Sequence, residues 1–311
     1  MTQATPAIEL RASLRGSTAR RRRERVVQAV LLAGGLASIA ISALIVVTLV
    51  ADALRFLAAV DLSALNTIGW APRRGMFDLP TLLIGTFLVS AIAMLVAAPV
   101  GLLSAIYLAE YATPRVRSFV KPILEVLAGI PSIVLGFFAI AVISPDVIQR
   151  INPKAPGFNM LAASIAVGVL SIPLVASVAE DAMRAVPRAL REASYGLGAR
   201  RLTTSLRVVF PAAISGIVAA LILATSRAIG ETMVVAVAAG ASGSGARSWD
   251  IFAPGQTLTA AMASLAIGSD QVRGDDLAFP SLFFLGAVLF AMTFLLNVIG
   301  DAFVRRTRQR Y

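Results

Sequence analysis

Long apolar runs separated by short polar stretches dominate the chain. A helix rises 1.5 Å per residue, so about 20 mostly apolar residues cross a hydrocarbon core of about 30 Å. Six segments meet that length: Val26–Ala51, Leu79–Ala109, Pro122–Ile143, Met160–Ala179, Pro211–Ala239 and Ser281–Phe303. Each is far longer than a strand and none alternates with period two, which excludes an outer-membrane barrel. The predicted fold class is therefore all-α, a membrane protein with six transmembrane helices. Residues 1–25 form a basic tail and 26–78 the first helix with its external loop. Residues 79–303 form a core of five helices, and 304–311 a second basic tail.

Composition agrees with this pattern. Apolar residues make up 58% of the 311 and charged residues 14%, and the mean hydropathy is +0.82. Soluble domains are about half apolar and about a quarter charged. Neither cysteine nor histidine occurs, which removes disulfides, thiol nucleophiles, imidazole bases and the usual zinc ligands. Arg20–Arg25 could pass for the basic start of a signal peptide, but the apolar run behind it exceeds the roughly 7–15 residues of such a segment. It reads as a retained first helix.

The net charge of +11 bears on topology rather than on nucleic acid. Both tails and the loops after the second and fourth spans carry twenty Lys and Arg, against seven in the remaining loops. Basic residues stay cytoplasmic, so both termini are expected inside. The arginines are then topology determinants and lipid-headgroup contacts, and no nucleic-acid partner is expected. Asp61, Asp78, Asp146, Asp250, Asp270, Asp275 and Asp276 fall in the external loops beside basic residues. Mixed charge there suits docking to another protein, and equally suits ordinary solvated loop. Pro99, Gly101, Pro131 and Pro173 interrupt the spans, either for packing or because kinked helices line a pathway that opens and closes.

Two segments carry candidate chemistry. In the cytoplasmic stretch from Met183 to Val209, Pro187 suits a first helical turn, Leu190, Ala193, Ser194 and Leu197 share a face, and Gly196 and Gly198 end or bend the helix. A short amphipathic helix over about 187–198 needs a groove to fill or a headgroup layer to lie on. In the fifth span, Arg227 and Glu231 fall near mid-membrane at i, i+4, where an arginine costs at least about 2.5–3.5 kcal/mol to insert. Arg before Glu is the less favourable helical order. A guanidinium matches tetrahedral oxyanions, so Arg227 could be the attractive station of an anion pathway, with Glu231 neutralising it when empty. A structural ion pair between helices is the alternative. Glu125, four residues after Lys121, and Glu180 with Asp181 read as interface charges.

Here the sequence resembles a known family. Bacterial ABC importer permeases carry Glu-Ala-Ala, three residues, Gly, nine residues, Ile-x-Leu-Pro. This chain has Glu192-Ala193-Ser194, Gly198 and Val208-Val209-Phe210-Pro211 at the same spacing. The resemblance implies the MetI-like permease fold and gives Glu192, Ala193, Gly198 and Pro211 the role of coupling to an ATPase. The only lysines, Lys121 and Lys154, follow no glycine, so the chain lacks a P-loop. A separate ATPase dimer is then implied, binding the ATP and Mg, with no cofactor in this chain. The stretches Ala105–Tyr111, Leu124–Val134, Arg227-Ala228-Ile229-Gly230-Glu231-Thr232 and Pro254-Gly255-Gln256-Thr257-Leu258-Thr259 together look like the phosphate-importer permeases of PstC type. That resemblance ties Arg227 and Glu231 to transport. It implies a second, PstA-like permease, a PstB-like ATPase and a PstS-like phosphate-binding protein outside an inner membrane. Sulfate, molybdate or tungstate as substrate, a stand-alone anion transporter, and a phosphate-sensing scaffold are the competing readings.

Overall fold

The computed structural model describes residues 18–240, 247–267 and 277–307. Asp270, Asp275 and Asp276 lie outside the described residues, as does the tail before Thr18. The chain divides into two compact units, Met1–Ala51 and Asp52–Tyr311. Helix α1 runs Thr18–Ala59, and its 42 residues make it about 63 Å long. The first unit holds most of it; after the charged stretch Arg20–Arg25, residues 26–51 are predominantly apolar on every face, as a helix surrounded by lipid requires.

The second unit opens with the end of α1 and a small hairpin. Strand β1 (Trp70–Ala71) pairs antiparallel with β2 (Met76–Phe77). The turn between them uses Gly75 at φ 68°, a region that costs other L-residues steric strain. Trp70, Phe77, Phe56 and Phe284 bury their rings together, with centroids 5.1–5.8 Å apart.

Helices α2 (Leu79–Tyr111) and α5 (Met160–Arg184) form the most extensive helix pair. The buried face of α2 steps by four through Gly85, Val89, Ala93, Ala97, Gly101 and Ala105, one helical stripe of mostly small residues. Small residues let backbones approach in a membrane, where no hydrophobic force drives helices together. A Cβ on Gly101 would stand 2.6 Å from Val175 Cβ, and one on Gly168 2.9 Å from the Ala93 carbonyl.

Between them lie α3 (Pro114–Ala128) and α4 (Ser132–Ile151). The third span was expected at Pro122–Ile143. Instead Gly129 caps α3, and Pro131, whose ring cannot continue a helix, starts α4 one residue on. Helix α3 buries no residue and has a strongly polar side, so the span is α4 alone.

The fifth span differs most from its expected continuous run, Pro211–Ala239. After the short α6 (Arg188–Gly196) come α7 (Arg201–Ala212) and α8 (Ile214–Ile229), bent by 71°. Pro211 has no N–H to give the Arg207 carbonyl, and the chain turns two residues later. Helix α8 then stops at Gly230, and α9 (Met233–Ala238) restarts after Thr232. The loop behind α9 folds back on α5, where Met160 N donates to Ala253 O at 3.0 Å. Helices α10 (Leu258–Ile267) and α11 (Ala278–Thr307) follow. Five helices are long and apolar enough to cross a membrane, and six spans result when the bent pair counts as one.

Replacing Gly101 by Val forces extra methyls against Val175. Overpacking of this kind costs about 1–3 kcal/mol, so the detergent-solubilised variant is expected to melt at lower temperature than the parent. An unchanged melting temperature would show that α2 and α5 do not meet at this glycine.

Candidate functional site

Helix α6 is held by its own chain on one side and bare on the other. Leu190 packs on a cluster of Ala105, Ala179, Met183 and Val209. Ser194 is buried, and its Oγ lies 2.8 Å from Thr204 Oγ1 on α7. Arg191 reaches Glu110 at the end of α2, with NH2 2.8 Å from Oε1. Glu192 faces outward, and so do Ala193 and Leu197, the latter 89% exposed, although both were expected to share one face with Leu190 and Ser194. The helix ends at Gly196, and the chain turns away two residues later at Gly198, whose φ of 79° again favours glycine. Glu192, Tyr195, Arg188, Arg184, Arg191 and Ala109 line a surface groove of about 390 Å³. Glu192, Ala193 and Gly198 thus belong to one exposed element. Pro211 does not join them; it sits at the bend between α7 and α8.

Arg227 and Glu231 lie at the break in the fifth span. The expected i, i+4 pairing is overturned, because α8 ends at Ile229 and Glu231 lies beyond it. Glu231 Oε1 instead accepts from the backbone N–H groups of Thr232 at 3.2 Å and Val234 at 3.4 Å, satisfying donors that a helix start leaves orphaned. Its carbonyl accepts from Thr259 Oγ1 at 2.7 Å. Arg227 is exposed at the last turn of α8 and makes no hydrogen bond or ion pair among the described residues.

The remaining buried carboxylates are matched within the chain. Glu180, fully buried, lies 2.7 Å from Arg117 Nε, 3.1 Å from Lys121 Nζ and 3.9 Å from Arg184. It is a hub joining α3 to α5. Lys121 turns to Glu180 and to Asp181, at 2.8 Å, rather than to Glu125. Asp78, expected in a solvated loop, is also fully buried. Arg247 grips it at 2.8 and 3.3 Å and also bonds Asn66 and the Thr67 carbonyl. Thr81 Oγ1 and Gly69 N donate to the same carboxylate.

With this geometry in view, a model of the family described as binding-protein-dependent transport system inner membrane component matches residues 97–310. The chain belongs to this family. It is similar to the phosphate transport system permease protein PstC of Mesorhizobium japonicum, at 31% identity over 86% of this chain and 85% of that protein. PstC 1 of Mycobacterium tuberculosis is 34% identical over 72% of this chain and 71% of its own. PstA 1 of the same species is 38% identical over 51% and 50%. Among solved structures, a bacterial ABC transporter importing the polysaccharide alginate superposes with TM-score 0.61 at 14% identity, covering 93% of this chain and all of that one. The inward-facing methionine transporter MetNI gives 0.52 at 20% identity over 74% and 94%. These neighbours establish the fold of an ABC importer permease.

In this permease the side chains that sequence reading passed over are those paired at long range. Glu110 with Arg191 and Asp78 with Arg247 are 81 and 169 residues apart. The one local signal was position, since Glu110 and Asp78 each border the long apolar run of the second span.

Burial alone would raise the Asp78 carboxyl. Hydrogen bonds from Arg247, Thr81 and Gly69 outweigh it, with help from the guanidinium's charge, and hold the group below the ordinary carboxylate range. A lowered pKa stabilises the fold above the unfolded value, and that contribution is lost as pH falls through the folded one. Asp78→Asn is therefore expected to lower stability near neutrality by on the order of 1–3 kcal/mol, and to converge on the parent below about pH 4. Thermal unfolding of both proteins across that range checks this, and a pH-independent difference would contradict it.

Proposed function

We propose that this permease is the PstC-type subunit of an ATP-driven importer of inorganic phosphate. It supplies half of a translocation channel in the bacterial inner membrane, with both termini in the cytoplasm. Its partners are a PstA-like permease, two copies of a PstB-like ATPase that bind ATP and Mg, and a PstS-like phosphate-binding protein outside. The PstC relatives, similar over most of their own length, support the choice of substrate. The exposed Glu192, Ala193 and Gly198 of α6 support its role in docking the ATPase.

The observation that carries the reading is Arg227. A guanidinium within an apolar span is costly unless something pairs with it. Among the described residues nothing does, and Glu231 is engaged as a helix cap. Arg227 is exposed and so open to a partner from outside the described residues. A tetrahedral oxyanion fits the fork of N–H donors. The break at Gly230 follows the pattern of transporters in which discontinuous helices bring backbone and charge to the substrate near the membrane midplane.

The test is uptake of labelled phosphate by the complete assembly in proteoliposomes. Losing a hydrogen bond to a charged group costs about 1.5–3 kcal/mol, so Arg227→Gln is expected to lower uptake roughly 10- to 100-fold. Arg227→Lys keeps the charge without the fork and should fall between. Normal uptake by Arg227→Gln would remove this residue from the pathway. Competition by sulfate, molybdate or tungstate stronger than by phosphate would reassign the substrate.

A further inference from the structure

Arg191 lies beside the exposed coupling residues yet points the other way. Its side chain is 17% exposed and that of Glu110 3%. Nε and NH2 donate to Glu110 Oε1 at 3.2 and 2.8 Å. NH1 donates to the Val186 carbonyl at 2.7 Å, and NH2 to the Met183 carbonyl at 2.8 Å. The last carbonyls of a helix lack intrahelical partners and carry partial negative charge, so a cation there is favourable. One planar guanidinium on α6 thus grips the end of α2 through a carboxylate, the last turn of α5 through the Met183 carbonyl, and the link between α5 and α6 through the Val186 carbonyl.

The far end of α6 is fastened as well. The buried hydroxyl of Ser194 meets the fully buried Thr204 of α7. Only the short links 185–187 and 197–200 join α6 covalently to its neighbours. Without the side-chain contacts, displacement of α6 would be absorbed in those links.

We propose that Arg191 is a positioning residue that makes α6 move as one body with the inner ends of α2 and α5, so that displacement of α6 becomes displacement of the spans. This rests on the reading of α6 as the ATPase-docking helix. The contacts divide the helix accordingly: Glu192, Ala193 and Leu197 are left outward for a partner, while Leu190, Arg191 and Ser194 turn inward.

The experiment measures phosphate uptake and ATP hydrolysis together, in the reconstituted complete assembly, for the parent, Arg191→Gln and Glu110→Gln. Both variants are expected to assemble and hydrolyse ATP, with phosphate moved per ATP falling by about 5-fold or more, the lower range of coupling between distinct sites. Arg191→Lys restores a charge to Glu110 but not the fork, and should recover part of the loss. The chain contains no cysteine, so Glu110→Cys with Arg191→Cys can be bridged specifically by a bifunctional thiol reagent when the other subunits carry no accessible cysteine. Bridging should restore transport per ATP, which a residue needed only for folding would not do. Unchanged coupling in Arg191→Gln, or failure of both glutamine variants to assemble, would overturn the positioning role while leaving the importer assignment intact. A parent assembly without ATP-driven uptake would overturn both.

Discussion

Moving a carboxylate or a guanidinium out of water costs several kcal/mol per ion, recovered only by close opposite charge and additional hydrogen bonds. Among the described residues, three buried carboxylates lie against basic side chains, and each joins elements remote in sequence. Asp78 binds the start of α2 to the loop carrying Arg247. Glu180 binds α5 to α3. Glu110 binds the other end of α2 to α6. Removing either partner from such a pair leaves an uncompensated charge, so the pairs specify where loops sit as well as adding stability. Arg227 differs from these in being exposed, with no hydrogen-bond or ion-pair partner among the described residues.

The spans themselves are organised by size rather than by charge. Alanine and glycine at four-residue spacing on α2 let α5 come close enough that a single added carbon at Gly101 or Gly168 would collide. That close pair is a firm frame. Beside it the fifth span is deliberately discontinuous: bent at Ala213, ended at Gly230 and restarted at Met233. Freed backbone groups at membrane depth are tolerable only where protein or water satisfies them. The Glu231 side chain and Thr259 hydroxyl do so at the second break.

Much of this was legible from hydropathy alone, because a bilayer demands long apolar helices and leaves few alternatives. The first, second, fourth and sixth spans lie where the apolar runs place them. The third and fifth were misjudged for one physical reason. Apolar composition reports which residues suit lipid but not whether their backbone stays helical, and Pro131, Pro211 and Gly230 decide that locally. The faces of α6 were only partly legible: the spacing grouped Ala193 and Leu197 with Leu190 and Ser194, and only the latter two turn inward. Arg191 looks like one more surface arginine until Glu110 is beside it. The helical pairing of Arg227 with Glu231 failed because i, i+4 geometry presumes an unbroken helix.

The same breaks bear on how force could travel. From α6 the Ser194–Thr204 contact leads into α7, and α7 meets α8 at the bend. Helix α8 is continuous from Ile214 to Ile229, so Arg227 lies about 20 Å along a stiff rod from that bend. A rod pivoted at one end converts a small rotation into a larger sweep at the other. The residue at that distance is Arg227, which has no hydrogen-bond or ion-pair partner among the described residues. If α6 is the docking helix proposed above, its contacts through Arg191 to the frame and through Ser194 to α7 would let it shift α7 against the frame, and the bend would carry that shift to α8 and Arg227 without any rearrangement inside a helix. Bistable packing then requires only that the bend have two arrangements, which is a lighter demand than remodelling the close-packed α2–α5 pair.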